Sequence, residues 1–215
     1  MKSPFDSLQT TVVLGLVLTV VMVLAVMGIA DHGVGASLPE GEGGGGGMSI
    51  AIFVARWAHV VSGIMWIGLL WYFNFVQVPS MAEIPAELKP AVSKFIAPRA
   101  LWWFRWAAAS TVLFGVILAG AGRYIVDAFA LGLTDRGADT SIIGFGIWFA
   151  LIMAFNVWFI IWPNQKKALG IVTATDDEKK KAARMAFLAS RTNLMLSLPM
   201  LFAMLGMRHF AEFIS

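Results

Sequence analysis

Few residues in this chain could do chemistry, and most of them fall in one stretch, Arg56-Trp57-Ala58-His59-Val60-Val61-Ser62-Gly63-Ile64-Met65-Trp66-Ile67-Gly68. On a helix, Arg56, His59, Gly63 and Trp66 follow at spacings of three and four and share a face, with Asn74 further along it. An ionisable side chain inside an apolar run is costly and turns to a bundle interior or a partner. Imidazole is a common ligand for haem iron or copper, and Gly63 leaves room beside it for a flat group. His59 is thus the candidate cofactor and metal ligand, with His209 as second ligand and Arg56 as partner for haem propionates. Gly63 and Trp66 complete the set, and haem b or another metal is the cofactor such ligands could take. The competing reading is that His59 bonds a neighbouring backbone carbonyl and fastens two helices.

A second group, Asn74, Gln77, Arg105, Asn156, Asn164, Gln165, Arg191 and Asn193, is drawn from the ends of four apolar runs. Guanidinium offers a fixed fork of donors, so arginines among amides could hold an organic anion. Arg105, Asn164, Arg191 and Asn193 are the candidate substrate-binding residues. Snorkelling and helix-end capping at lipid headgroups would explain the same residues without a ligand.

Other chemistries are excluded. The chain has no cysteine, which removes disulfides, thiolate metal sites, iron–sulfur clusters and covalent c-type haem. It has three histidines, His32, His59 and His209, so metal chemistry rests on these, on carboxylates or on Met. No nucleic-acid-binding module is visible, and the basic stretch from Lys166 to Lys181 reads as a face near anionic lipid.

The elements that must position these residues are membrane helices. Of 215 residues 59% are hydrophobic and 13% charged, and the apolar runs reach the length that crosses a hydrocarbon core. Backbone groups in lipid must be satisfied within the segment, and the alternation of a barrel is absent, so the fold class is all-α, a polytopic bundle. Five spans are expected: Thr11 to Ala30, Ile50 to Val78, Ala100 to Ala121, Ser141 to Trp162 (stopped by Pro163) and Phe187 to Phe210. The last merges with a helix starting at Asp176 behind a Thr175/Glu178 capping box, and Pro199 should kink it. Small residues in the outer halves, among them Gly63, Gly115, Gly144 and Gly146, suggest either a cavity for a planar cofactor or close helix approach. Residues 1–47 form an anchor and Gly-rich linker, and 48–215 a four-helix domain. The first run is too long for a usual signal-peptide core and reads as retained, with Met48 an alternative start. Of the 16 lysines and arginines, 12 fall on the side holding the amino terminus, which the positive-inside rule makes cytoplasmic, with the carboxyl terminus outside.

Four patches carry a family likeness: RWAHVVSGIMWIGLLWYFNFVQ (Arg56 to Gln77), WWFRWAAA (Trp102 to Ala109), IWPNQKKAL (Ile161 to Leu169) and ASRTNLMLSLPMLFAM (Ala189 to Met204). In these, the chain resembles the membrane domain of the bacterial membrane-bound urate hydroxylase (urate oxidase) family, without that family's cytochrome c domain. The resemblance implies a multi-pass inner-membrane oxidoreductase of purine degradation. It would oxidise urate and pass electrons to a separate cytochrome c or respiratory complex. The alternative is a non-catalytic membrane subunit packed in a larger respiratory or transport complex.

Overall fold

The computed structural model describes residues 3–31, 46–134 and 139–206. Every regular element among them is helical. Helix α1 is Leu8–Asp31, behind a single 3-10 turn at Pro4–Asp6. Helix α2 runs Gly46–Trp71, continues through a π-helical turn at Tyr72–Gln77 and ends as Val78–Glu83. Helix α3 comprises Lys89–Ala91, a π turn at Val92–Ile96 and Ala97–Ala121. A short α4, Ile125–Phe129, precedes α5, which comprises Asp139–Phe155, a π turn at Asn156–Ile161 and Trp162–Ala168. Helix α6 is Asp176–Gly206. Four of these helices, α2, α3, α5 and α6, are long and apolar enough to cross a membrane.

Prolines organise the three composite helices. In each, the residue before a proline makes the last wide-turn bond: Val78 N–H to the Phe73 carbonyl ahead of Pro79, Ala97 to Val92 ahead of Pro98, and Trp162 to Val157 ahead of Pro163. A proline ring clashes with the carbonyl four residues back in a regular α-helix and brings no N–H. Widening the preceding turn relieves the clash, and the helix goes on. Hence Pro163 does not stop the fourth span at Trp162, as expected from sequence; the helix continues to Ala168. Likewise α2 runs past Pro79, and α3 begins eleven residues before Ala100, at Lys89.

Pro199 is handled differently. It lies inside α6, and the carbonyl its missing N–H would have met belongs to Met195. Helix α1 packs there: a Cβ placed on Gly15 would stand 2.7 Å from the Met195 carbonyl oxygen and 2.9 Å from the Leu198 Cδ1. Only glycine lets α1 come this close. The Asp6–Arg184 ion pair below this point and the packing of Met22 with Ala203 above it make α1 and α6 parallel. Asp6 and Arg184 thus share the end of the bundle that carries the lysines of the α5–α6 connection, called here the basic end. Thr175 and Glu178 cap α6 as expected, with the Glu178 carboxylate accepting from the Thr175 N–H at 2.7 Å and the Thr175 hydroxyl accepting from the Glu178 N–H.

The main core joins α2, α3, α5 and α6 around Trp66, Leu70, Phe104, Met153 and Val157. Polar ties cross it. The Trp71 indole donates to the Ser197 hydroxyl, and the Asn193 amide donates to the Met153 carbonyl at 3.0 Å.

Gly15→Val should therefore loosen α1 and lower stability by about 1–3 kcal/mol, the usual cost of overpacking. Gly68→Ala, where nothing lies within 4 Å of the new methyl, should be neutral or slightly stabilising. Thermal unfolding in detergent checks both; equal effects would contradict the tight α1–α6 contact.

Candidate functional site

The three π turns converge at the basic end, and the space between them is a cavity of about 290 Å³. Phe73, Asn74 and Gln77 come from the first turn, Val92 and Ser93 from the second, and Ile161 from the third. Gln165 follows Pro163 on α5, and α6 supplies Ala186, Phe187 and Ser190. Phe73, Phe104 and Phe187 line aromatic walls, and the Phe73 and Phe104 rings meet edge to face at 5.6 Å.

The polar groups on these walls are incompletely used. The Asn74 amide, with Nδ2 assigned as donor, gives to the Leu70 carbonyl at 2.8 Å and the Ser190 hydroxyl at 2.9 Å. The Gln77 Oε1 is enclosed and has no hydrogen-bond partner. An enclosed amide oxygen left unpaired costs about 1–3 kcal/mol, and a ligand bearing N–H groups would recover it. Amides, a hydroxyl and flat aromatic walls suit a planar heterocycle with both donors and acceptors on its rim.

The residues expected to bind substrate are placed otherwise. Arg105, Asn164, Arg191 and Asn193 do not line this cavity. Arg105 is buried and stacks on Trp162, and Arg191 is buried with its Cζ 5.0 Å from the Phe187 ring. The Asn164 amide bonds the Ile160 carbonyl one turn back, while Asn193 accepts from Asn156 at 2.8 Å and ties α6 to α5. Of the amide group read from sequence, the structure brings Asn74, Gln77 and Gln165 to the cavity. Ser93, Ser190 and the phenylalanine walls escaped sequence reasoning, since ordinary residues acquire their roles only when the helices are in register.

His59 sits towards the far end of α2, half-buried against α3. A ring nitrogen bonded to a carbonyl must carry hydrogen, so Nδ1 donates to the Thr111 carbonyl at 2.8 Å. The Thr111 hydroxyl in turn donates to the Ala107 carbonyl. Gly115 makes room: a Cβ there would stand 3.0 Å from the His59 Cε1. This is the helix-fastening arrangement. It is also the bracing that a ligating imidazole needs, because Nε2 is left with its lone pair. Arg56 is exposed, Gly63 lies opposite Thr111, and Trp66 is fully buried in the core, its indole N–H enclosed without a partner. His209 and His32 lie outside the described residues. Among the described residues no group of three His, Asp or Glu side chains could hold a metal. The outer glycines serve close packing, Gly144 against the Ala128 carbonyl and Gly146 against the Ala203 methyl.

Residues 125–215 match the family model described as urate oxidase N-terminal. The match supports a urate-oxidase-like membrane protein and includes the α5 and α6 walls of the cavity. No curated protein and no solved structure matches the chain.

The His59–Gly115 contact predicts coupling. Gly115→Ala should destabilise the protein but be tolerated in a His59→Ala background, with an interaction energy of roughly 0.5–1 kcal/mol. Strictly additive unfolding energies would contradict the seam.

Proposed function

We propose that this protein is a urate-hydroxylase-like membrane redox protein that takes a planar purine of the urate class into the cavity between the three π turns. The observation that carries this reading is the enclosed, unpartnered Gln77 Oε1 beside the Asn74 and Gln165 amides between aromatic walls, in a chain whose residues 125–215 match a urate oxidase family model. Urate presents ring N–H donors and carbonyl acceptors around a flat bicycle. Gln77 Oε1 would accept from the ligand, the Ser190 hydroxyl is free to donate to it, and Phe73 and Phe187 would cover its faces.

The redox part of the proposal rests on the resemblance and on His59. With Nδ1 braced, Nε2 is the atom of His59 that would hold a haem b iron or another metal, with His209 as its partner. Such a group would supply one-electron chemistry, the electrons leaving to a separate cytochrome c or respiratory partner. His59 lies fifteen residues from Asn74, roughly 22 Å along α2 at 1.5 Å per residue, so it would not touch a purine in the cavity. The basic end would face the cytoplasm of an inner-membrane protein, because lysines and arginines concentrate there. One observation favours the alternative of a packing subunit: Phe53, Trp57 and Ile64 leave one face of α2 uncovered.

Equilibrium dialysis of urate against the purified full chain tests the proposal. Gln77→Leu should weaken binding about tenfold or more by deleting the acceptor, whereas Lys180→Gln on the exposed start of α6 should not. The same protein, expressed with haem supplied, should show a Soret band that His59→Ala removes. Absence of urate binding together with colourless, metal-free protein would leave the packing subunit as the reading.

A further inference from the structure

At the basic end, α3 and α5 meet around one indole. The Arg105 Cζ lies 3.4 Å from the centre of the Trp162 ring, and the Lys166 Nζ, one turn further along α5, lies 5.5 Å from that centre. Two cations on one ring lie close enough to repel each other through a partly desolvated medium. Arg105 is only 8% exposed, and its Nη1 is enclosed without a hydrogen-bond partner. Among the described residues no carboxylate pairs with either cation: Asp6 is held by Arg184 and Asp176 by Lys179. The indole offsets part of the cost of burying a guanidinium but supplies no negative charge.

The surroundings indicate what supplies it. Trp102, Trp103 and Trp106 are about half exposed on the outside of α3, and Trp106 meets Trp158 of α5 edge to face at 5.5 Å. Indoles collect where hydrocarbon gives way to headgroups, and basic pockets between spans at that level suit anionic lipid. A soluble anion would leave these apolar rings without a role.

We propose that the α3–α5 seam is a binding site for an anionic phospholipid, with Arg105 and Lys166 on its phosphate and the acyl chains lying along Trp106 and Trp158. Arg105, Trp162 and Lys166 do not line the purine cavity, so this site stands or falls independently of the purine reading.

Native mass spectrometry of the full chain in detergent, titrated with dioleoyl phosphatidylglycerol or dioleoyl phosphatidylcholine, tests it. The wild type should retain the anionic lipid in preference to the zwitterionic one. Arg105→Gln and Lys166→Gln should each lose about fivefold in anionic-lipid retention, the effect expected of one cation near a membrane surface. Lys180→Gln, which removes an equal charge from an exposed position, should retain it. Lys166 lies in the last turn of α5, so its variant keeps the test valid should Arg105→Gln misfold. Equal retention of both lipids, or equal losses in Lys166→Gln and Lys180→Gln, would overturn the proposal. So would displacement of the lipid by millimolar inorganic phosphate, which would make this a soluble-anion site.

Discussion

A helix in lipid must satisfy its backbone groups within its own turns, and a proline inside it both removes a donor and pushes away a carbonyl. Pro79, Pro98 and Pro163 each stand two residues beyond a π turn, and the residue ahead of each proline makes the last long-reach bond. A π turn is wider than an α turn and carries one more residue around the axis, so it re-aims the side chains that follow. Residues of all three turns line the cavity at the basic end, and the wider turns set the positions of Asn74, Gln77 and Ser93 on its wall.

Where a proline is not relieved by a π turn, another helix takes advantage of it. At Pro199 the freed Met195 carbonyl is met by Gly15 of α1. The first helix is thereby seated on α6 by a backbone approach, and the Asp6–Arg184 pair fixes its near end. A helix that the family likeness leaves out is in this way continuous with the matched region.

Much of this architecture was legible in the sequence. The apolar runs mark the four long helices because nothing else of that length and composition meets the backbone's needs in lipid. The Thr175/Glu178 pattern marks the start of α6 because a capping box is local chemistry. The passage of helices through Pro79, Pro98 and Pro163 was not legible: proline is normally read as a stop, and the π turn that rescues it depends on neighbours. The same limit applies to the site. Asn74, Gln77 and Gln165 belong to the amide group read from the sequence, but type alone did not separate them from Asn164 and Asn193: whether Asn193 faces a cavity or the Met153 carbonyl depends on how α6 is rotated against α5. His59 shows the converse case. Its depth in a span marks it as a residue needing a partner, and the Thr111 carbonyl is one.

The central claim is that the space between the three π turns is where a purine binds. Photolabelling of the purified full chain with an azido purine, mapped by peptide mass spectrometry, addresses it most directly. The account predicts labelled residues within 73–78 of α2 and 186–190 of α6, with protection by excess urate. Labelling confined to the neighbourhood of His59 and Gly115, or labelling that urate does not suppress, would contradict it.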